Sequence, residues 1–474
     1  MNVKLFGHYV ARPAAVLAAL EGGLFLVALH LMSLARNCHG CYIGSVVHFE
    51  LHEELLLTAV FLLITTSVGL YNRDALLDFR TFLKRFILSA QLIFIPAVAV
   101  VAITKAASGG PFGWYVGILS IVITFFMLVL FVIRLLLGWW SPTALAKKRV
   151  LVLGDDRVGK DVVEFVNGLG RSHLVHVLTV SAHGAKAGKI APVGNLAVHI
   201  ERPQPQHLPT IAEAARIDMI VVAVEDKRGL PVSDLLDCKL RGIDVVDSLT
   251  FWEREAGEID FAHAGAGWLA FTQGFLLDAR SRFIKRLADF VVSLTFVILV
   301  LPLCLFVALA IKLESPGPIF YRQERVGLNG KVFRVWKFRS MRTDAERDGV
   351  PQWANKQDNR ITRVGQVIRM LRIDEIPQIM NVLSGDMSFV GPRPERPFFV
   401  EQLRKDIPHY DLRHAVKPGI TGWAQVNYPY GASVDDAKRK LAYDLYYLKN
   451  HDLILDIAIL MQTVRVILFP GGAR

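Results

Sequence analysis

The stretch Leu371–Pro397 reads LRIDEIPQIMNVLSGDMSFVGPRPERP, and it decides how the rest of the chain is interpreted. Two adjacent carboxylates, Asp374 and Glu375, closely follow Arg372. Four more basic residues lie in short clusters before or after the pair: Lys337, Arg339, Arg393 and Arg396. Arginine binds phosphoryl oxygens through forked hydrogen bonds, while a carboxylate can attack phosphorus or bind a hard cation. The pattern predicts a site that handles phosphate.

The carboxylate pair is expected on a helix that runs towards Val382. Neighbouring side chains on a helix diverge by about 100°, so the two groups cannot approach one atom in the same way and need different roles. An isolated Asp-Glu pair on a basic helix would more often be a solvated surface face. The arginine and proline pattern around this pair favours a reactive site.

The composition is that of a membrane protein. The chain has 474 residues, of which 53% are hydrophobic, and a formal net charge of +11. Its mean hydropathy is +0.37, which is too apolar for an ordinary soluble enzyme. Nucleic-acid binding is the rival explanation of the charge. It is not expected, because the basic residues lie beside apolar spans and phosphate-type motifs and not in a recognition helix.

Residues 1–145 predict a four-helix transmembrane bundle, because they hold four apolar spans near the ~20 residues that cross a bilayer core. The spans are Ala14–Ala35, Leu55–Tyr71, Phe86–Thr104 and Phe112–Ile133, the last continuing to Trp140. Lysine and arginine concentrate at the N-terminus, in the second loop and after the fourth span. By the positive-inside rule, the N-terminus and the long C-terminal part should be cytoplasmic.

Two polar residues, Glu21 and His30, fall within the first span. Such residues are candidates for function, and the alternative is that they face other helices or an interface. No ion pair within the spans is evident from the sequence. Cys38 and Cys41 form a lone CHGC in the first loop, for which a periplasmic disulfide and two free thiols both stay open. Charged residues interrupt the first apolar stretch, so no cleavable signal peptide is expected.

Residues 146–260 predict a Rossmann-like α/β domain, in which buried strands alternate with helices around a parallel sheet. A helix is expected from about Val158, and strands at Arg149–Gly154, His173–Val180, Leu196–Ile200, Asp218–Val224 and Asp244–Val246. The first turn, GDDRVGK, has Asp156 where a dinucleotide fingerprint needs glycine, and this side chain would repel a pyrophosphate. The domain is therefore predicted to lack a normal nucleotide site, and a regulatory ligand or a homodimer contact remain as alternatives.

The uncharged stretch Phe290–Ile311 is long enough, at 22 residues, to cross a bilayer. A crossing would carry the following basic clusters and the carboxylate pair out of the cytoplasm, against the charge rule. Pro302 lies near the middle of the stretch, lacks an N–H and breaks helices. The sequence therefore predicts a re-entrant hairpin over residues 287–311 with both ends in the cytoplasm.

The region from about Arg280 to the C-terminus resembles the monotopic phosphoglycosyl transferases, the bacterial sugar transferase family. The matching blocks, in the family's order, are KLESPGPIFYRQ (312–323), VG (326–327), KFRSM (337–341), RIDEIPQIMNVL (372–383), GDMSFVGPR (385–393) and KPGITGWAQ (417–425). The resemblance implies an α/β monotopic catalytic domain over residues 275–474 with a re-entrant membrane helix. It also implies the large type of member, associated with exopolysaccharide, whose central domain has no assigned chemistry.

The resemblance further implies an enzyme of the bacterial inner membrane, multi-pass, that starts exopolysaccharide synthesis. It would transfer a sugar-1-phosphate from a UDP-sugar to undecaprenyl (polyprenyl) phosphate and release UMP. Asp374 would be the nucleophile that carries the phosphosugar and would bind the implied cofactor, Mg²⁺. Glu375 would position the metal or the acceptor, or act as a base. The phosphoryl oxygens or the anionic lipid carrier would be bound by Lys337, Arg339, Arg372, Arg393 and Arg396.

The donor sugar is expected to be of the glucose or galactose type, with a preference for glucose. The alternative function is a membrane-anchored regulatory or scaffold protein of polysaccharide export with a degenerate nucleotide-binding domain. That alternative explains the apolar spans and the middle domain. It leaves the Asp374–Glu375 pair and its arginines without a role.

Overall fold

The computed structural model describes residues 2–5, 8–34, 50–71, 75, 79–105, 112–140, 148–154, 156–167, 174–180, 208–260, 264, 268, 271–272, 274–275, 278–342, 360–428, 431 and 433–468. The chain divides into two units, Met1–Val3 with Tyr9–Phe271 and Lys4–His8 with Thr272–Arg474. Cys38, Cys41 and the predicted strand Leu196–Ile200 lie outside the described residues.

Four long helices begin the first unit, and each covers one of the four predicted spans. Two short strands, β1 (Asn2–Leu5) and β2 (His8–Ala11), precede them. The helices are α1 (Arg12–Leu34), α2 (Leu51–Ser67), α3 (Phe79–Lys105) and α4 (Phe112–Trp140). Aromatic rings build their shared core, since Phe25 stacks on Phe61 with ring centroids 4.7 Å apart and both contact Phe126.

Length and composition qualify two helices in the described part of the chain to cross a membrane. One covers Phe79–Ala99, and the other is the helix Ala279–Glu314 of the second unit. Shorter apolar helical stretches occupy Val16–Leu31, Leu119–Leu135 and Leu453–Val464. The predicted transmembrane character of all four N-terminal helices therefore stays a prediction.

Polar side chains join these helices within their core. Arg134 Nε donates to Glu21 Oε1 at 2.6 Å, and the Tyr71 hydroxyl donates to Glu21 Oε2 at 2.8 Å. His30 Nδ1 lies 3.1 Å from Glu54 Oε2. Both polar residues of the first span thus face other helices. The expectation that the spans hold no ion pair is wrong, because Glu21 and Arg134 are far apart in sequence and meet only when the first and fourth helices pack.

The middle region of the first unit is built around a four-stranded parallel sheet in the order β4-β3-β5-β6. Its strands are β3 (Lys148–Leu153), β4 (Leu174–Val180), β5 (Met219–Val222) and β6 (Asp244–Asp247). Its helices are α5 (Arg157–Asn167), α6 (Leu208–Ala214), α7 (Val232–Leu240) and α8 (Ser248–Phe251), the last continuing as a π-helix over Trp252–Ala256. Alternate residues of β3 enter separate cores on the two faces of the sheet, as expected for buried parallel strands.

The second unit starts with one long helix, α9 (Ala279–Glu314), which has Pro302 inside it. The predicted break at Pro302 is therefore not present as a break in secondary structure: the helix continues through the proline although one backbone hydrogen bond is missing there. Most side chains in its middle are exposed, and Leu299 is 72% accessible.

Both ends of α9 contact the rest of the second unit. Near its start, Asp289 accepts hydrogen bonds from the Ser388 hydroxyl at 3.0 Å and the Phe389 N–H at 3.1 Å. Near its end, Ile311 packs in a core with Phe338 and Ile368. The two flanks of the apolar stretch therefore lie on the same folded unit, and the re-entrant topology stays a prediction.

The remaining elements are short. An antiparallel hairpin joins β7 (Phe320–Val326) to β8 (Val332–Phe338) through a 3₁₀ turn (Leu328–Gly330). After it come α10 (Arg363–Met370), a 3₁₀ helix (Ile373–Gln378), α11 (Ile379–Ser384), β9 (Ser388–Val390) and α12 (Pro397–Asp406). The chain continues with a 3₁₀ helix (Tyr410–Ala415), β10 (Gly419–Thr421), α13 (Trp423–Asn427), α14 (Val434–Asn450) and α15 (Leu453–Leu468).

Candidate active site

The carboxylate pair lies on the 3₁₀ helix Ile373–Gln378, directly after a reversal of the chain. Helix α10 ends at Met370, and Arg372 adopts a left-handed backbone conformation with φ of 59°. This conformation is uncommon for a residue other than glycine and concentrates at functional sites. In a 3₁₀ helix successive side chains diverge by about 120°, so Asp374 and Glu375 point in different directions, as predicted.

Glu375 is held by two cations. Arg393 Nη2 donates to its Oε1 at 2.8 Å, and Lys337 Nζ lies 3.2 Å from the same oxygen. Burial raises the pKa of Glu375, but the Arg393 guanidinium and the Lys337 ammonium outweigh it and hold this pKa well below its ordinary value. Glu375 is therefore ionised at neutral pH and is a poor proton acceptor.

Asp374 has the opposite environment. It is 9% exposed, and it has no hydrogen-bond or ion-pair partner among the residues that the structure describes. Burial and the neighbouring Glu375 charge raise its pKa above the ordinary value for aspartate, against the opposing effect of Lys337. A carboxylate without a partner keeps its lone pairs available for phosphorus or for a cation.

The two carboxylates carry two negative charges, and more than two cationic side chains lie near them. Burial lowers the pKa of Lys337, and it lowers the pKa of Arg325 to about 10, an effect to which the charges of Arg393 and Arg396 add. Sequence reasoning did not select Arg325. The strand register could have indicated it, because alternate residues of β7 and β8 place Arg325 on the same face as Lys337.

Two of the predicted arginines act by charge or position. Arg372 is exposed, and its charge lowers the pKa of both carboxylates in opposition to burial. Arg396 is the N-cap residue of α12, and its charge reaches Arg325. Both therefore contribute to the electrostatic potential of the site, and their predicted role in substrate binding stays a prediction.

Arg339 is buried, and its guanidinium is bound by protein groups. It is 6% exposed, and its guanidinium donates to the carbonyls of Pro316 at 2.9 Å and Ser315 at 2.8 Å, beyond the end of α9. A second contact joins Nη2 to the Ser315 hydroxyl at 2.8 Å. These contacts hold the residues that directly follow the long helix, and a role of Arg339 in substrate binding stays a prediction.

Glycines allow the two loops behind the site to pack closely. Strands β9 and β10 pair in parallel, which brings GPRP at 391–394 beside KPGITG at 417–422. A Cβ at Gly391 would lie 2.3 Å from the Lys417 carbonyl oxygen, and one at Gly422 would lie 2.2 Å from the Gly391 carbonyl oxygen. Only glycine fits these positions, and the close packing fixes the loop that carries Arg393.

A magnesium ion would find few protein ligands at this site. Within the described ranges, no group of three or more His, Cys, Asp or Glu side chains could hold a metal ion. Mg²⁺ commonly keeps several waters and binds through one or two carboxylates together with substrate phosphates. Asp374, which has no partner in the described chain, fits that requirement, whereas Glu375 is already paired with two cations.

Comparison with known proteins agrees with this geometry. The family model described as bacterial sugar transferase matches residues 280–470. The chain is 34% identical over 340 residues to UDP-glucose:undecaprenyl-phosphate glucose-1-phosphate transferase of Escherichia coli (strain K12), with 70% of each chain covered. It is 44% identical over 264 residues to UDP-N-acetylgalactosamine-undecaprenyl-phosphate N-acetylgalactosaminephosphotransferase of Aeromonas hydrophila, covering 55% of this chain and 61% of that protein.

A shorter relative is matched over nearly its whole length. The exopolysaccharide production protein PSS of Rhizobium leguminosarum bv. phaseoli is 44% identical over 190 residues, which is 38% of this chain and 93% of that protein. The names of the Escherichia coli and Aeromonas hydrophila relatives agree with the predicted class of enzyme, a sugar phosphotransferase acting on undecaprenyl phosphate. These matches confirm the resemblance found in the sequence, and the chain belongs to the bacterial sugar transferase family.

Proposed function

We propose that this protein transfers a sugar-1-phosphate from a UDP-sugar to undecaprenyl phosphate and releases UMP, as the first membrane step of exopolysaccharide synthesis. The observation that carries the proposal is the difference between the surroundings of the two carboxylates. Asp374 is buried without a partner in the described chain, while Glu375 is ion-paired with Arg393 and Lys337. One carboxylate is left for chemistry, and the other organises the cations.

In the first step, an Asp374 oxygen attacks the sugar-bearing phosphorus of the donor. The bond from that phosphorus to the bridging oxygen breaks, and UMP leaves with the electron pair. The sugar phosphate is now bonded through its phosphorus to an Asp374 oxygen as an acyl phosphate, a mixed anhydride. In the second step, a phosphate oxygen of the lipid acceptor attacks the same phosphorus, and the carboxylate leaves to give undecaprenyl-diphospho-sugar and free Asp374.

The cations would stabilise the negative charge that this transfer moves. Arg393 and Lys337 stand beside the pair in a partly dehydrated site, where fixed donors act strongly on phosphoryl oxygens. Glu375 would keep these two donors in place. A base role for Glu375 is disfavoured by its lowered pKa. Mg²⁺, when bound at Asp374 and the donor phosphates, would offset their charge so that the carboxylate can approach.

The donor sugar is the least determined part of the reaction. The relatives named above act on UDP-glucose and on UDP-N-acetylgalactosamine. Glucose or galactose remains the proposed type of sugar, with glucose preferred. The purified full-length protein should be given a panel of UDP-sugars with undecaprenyl phosphate and Mg²⁺, and UMP release should be measured for each donor.

The same assay decides against the alternative function. Without acceptor, incubation with the active donor should add the mass of a phosphosugar to a peptide that contains Asp374. A folded protein that releases no UMP from any donor would favour a regulatory or scaffold protein of polysaccharide export. UMP release without a mass change at Asp374 would retain the transferase activity and exclude the covalent route.

We further propose a multi-pass protein of the bacterial inner membrane, with four transmembrane helices, a Rossmann-like middle domain and a cytoplasmic catalytic domain. The motive is the long apolar helix α9, whose two ends contact the same unit. A helix that crossed the bilayer would separate these ends. Membrane lipids would cover its exposed middle, and the catalytic site would stay with the cytoplasmic pool of nucleotide sugars.

Cysteine labelling tests this topology. A single cysteine introduced at Lys331, in the exposed turn between β7 and β8, should react only after the inner membrane is permeabilised. Pro302→Leu restores a backbone N–H and favours a straight helix, so a fraction of these molecules should become labelled from the periplasm. Periplasmic labelling of the protein with native Pro302 would exclude the re-entrant topology.

A further inference from the structure

The loop that carries Arg393 has an unusual set of hydrogen bonds. It runs through Gly391–Glu395 without regular secondary structure, and Pro392 and Pro394 lack backbone N–H groups. Its carbonyls nevertheless accept from two backbone donors, Gly419 N–H to Pro392 at 3.0 Å and Val326 N–H to Glu395 at 2.9 Å. The two carbonyls between them accept from arginine side chains.

Arg413 provides the first of these side-chain bonds. Its Nη2 donates to the Arg393 carbonyl at 3.0 Å. The same guanidinium is fixed elsewhere, because Nε and Nη2 lie 3.0 and 2.8 Å from Asp444 Oδ2 and Nη1 donates to the Tyr410 hydroxyl at 2.8 Å. Arg413 is 5% exposed and Asp444 is 1% exposed, so this group is a rigid, buried donor.

Arg325 provides the second bond, on the following residue. Its Nη1 donates to the Pro394 carbonyl at 3.0 Å, and its Nη2 donates to Gln323 Oε1 at 2.6 Å. The main chain of Arg393 is thus bound by guanidinium groups at its own carbonyl and at the next one. The Arg393 side chain extends from this fixed backbone to Glu375.

We propose that Arg413 is a positioning residue for the transfer reaction, with Arg325 supporting it on the next carbonyl. Arg413 touches neither carboxylate in the hydrogen bonds described above and acts through Arg393. By holding the Arg393 carbonyl, it sets the distance between the Arg393 guanidinium and the Asp374–Glu375 pair. The proposal rests on the proposed function, because it assigns Arg393 to the phosphoryl oxygens.

Burial of the Arg413–Asp444 pair supports this role over simple stabilisation. Removing two charges from water is costly, and apolar residues of similar volume often replace a buried ion pair without loss of stability. An apolar side chain could not donate to a carbonyl between two prolines. Lysine has a single donor group and cannot reproduce the planar fork that reaches Asp444, Tyr410 and the loop together.

Arg413→Lys is the direct test, in the full-length protein in detergent or lipid. It should lower kcat for UMP release by about 10- to 100-fold, because a misplacement of about 1 Å can have that effect, and it should change KM for the donor much less. Arg404→Lys is the matched control, since Arg404 forms an exposed ion pair with Asp411, and its activity should stay within about twofold. Equal losses in both variants would overturn the proposal.

A double-variant cycle separates positioning from a general loss of structure. If Arg413 acts through Arg393, the variant with both Arg393→Lys and Arg413→Lys should be about as active as Arg393→Lys alone. Independent effects would multiply, and that result would overturn the proposal. If Arg413→Lys does not fold, Tyr410→Phe removes one partner of the same guanidinium and should show a smaller loss with the same non-additivity.

Hydrogen exchange gives a readout that does not depend on activity. Amide exchange in the peptide covering residues 391–396 should be faster in Arg413→Lys than in the wild type and unchanged in Arg404→Lys. Unchanged exchange in this peptide would overturn the proposal even if activity fell. A wild-type protein that releases no UMP would contradict the proposed function alone, and the exchange result would still decide whether Arg413 fixes the loop.

Discussion

Two aspartates in different regions of the molecule show what makes a carboxylate inert or reactive. Asp156 lies in the glycine-containing turn before α5, and its two oxygens accept from the Gly159 N–H at 3.0 Å and the Glu225 N–H at 2.8 Å. Asp374 lies in the 3₁₀ helix after α10 and has no partner in the described part of the chain. The Asp156 oxygens accept hydrogen bonds from backbone N–H groups, so Asp156 is a cap. The Asp374 oxygens keep their lone pairs available, so Asp374 is a candidate nucleophile.

The glycines of the two regions do not make this distinction. In the turn, a Cβ at Gly159 would lie 2.3 Å from the Gly154 carbonyl oxygen, so glycine serves the contact between helix and strand. In the catalytic region, Gly391 and Gly419 allow two loops to approach in the same way. A glycine-rich segment therefore indicates close packing of the backbone. A reactive site is indicated by a nearby carboxylate without a partner, such as Asp374.

The largest expected effect on activity is that of Asp374→Asn, and the same exchange at Asp156 is its control. Asp374→Asn should lower UMP release by at least about 10³-fold, because a neutral amide is a poor nucleophile. Asp156→Asn should leave the rate within about twofold, since its oxygens only cap backbone groups. UMP release should be measured for both variants with matched protein folding. Near-normal activity of Asp374→Asn would show that Asp374 is not the nucleophile.

Glu375→Gln should have the next largest effect. It removes the charge that Arg393 and Lys337 share, so both cations should lose their fixed positions beside Asp374. We expect kcat to fall by about 10²-fold, as for the loss of one oriented group in a phosphoryl or acyl transfer site. Steady-state kinetics would measure this loss. An unchanged kcat would show that the cations are positioned without Glu375.

The raised pKa of Asp374 predicts an acid limit of activity. The nucleophile must be ionised, so kcat/KM should fall about tenfold per pH unit below this pKa. Because burial and Glu375 raise it, the limit should lie above the ordinary aspartate value of about 3.9. A pH–rate profile at saturating Mg²⁺ measures it. Removal of the neighbouring charge in Glu375→Gln should move the limit to lower pH.

Removal of residues 1–270 should reduce activity less than either carboxylate variant. It deletes the region of Asp156 together with Lys4–His8 of the second unit. The rest of that unit remains and holds Asp374, Glu375, Lys337 and Arg393. The fragment should be purified in detergent, checked for folding by circular dichroism, and assayed for UMP release. Complete inactivity in a folded fragment would show that the first unit contributes to the site.

The smallest effect is expected for Asp156→Ala. Loss of an N-cap side chain at α5 should destabilise the middle region by about 1 kcal/mol, while the transferase rate should not change. Chemical unfolding followed by a probe in the first unit would measure the stability change. A large loss of transferase activity in this variant would contradict the assignment of Asp156 to a structural role.

Local sequence patterns predicted much of the fold. The four apolar spans, the strands at Arg149–Gly154 and Asp218–Val224, and the hairpin around Leu328–Lys331 appear where periodicity and turn residues place them. Asp156, which argues against a dinucleotide site, lies at the N-terminus of α5, and the absence of such a site stays a prediction. The helices, strands and hairpin depend on residues that are close in sequence, which is why the sequence alone predicts them.

Contacts between distant residues were not predictable in this way. The pairs Glu21–Arg134 and Arg413–Asp444 depend on how helices pack, and no spacing rule brings them together. The contacts of Arg339 have the same origin, since its partners Ser315 and Pro316 directly follow another element, α9. The dyad itself was found because its residues are adjacent, whereas the opposite shifts of its two pKa values depend on tertiary neighbours.

The docking of both ends of α9 on one unit has a consequence for how the two substrates reach the site. With its middle embedded in lipid, the helix would fix the height and tilt of Asp374 relative to the bilayer surface. A lipid-linked acceptor then reaches the site by lateral diffusion in the two dimensions of the bilayer, whereas the donor reaches it by three-dimensional diffusion in solution. The second half-reaction should accordingly depend on the mole fraction of acceptor in the bilayer, and dilution with other lipids should slow it at constant bulk concentration.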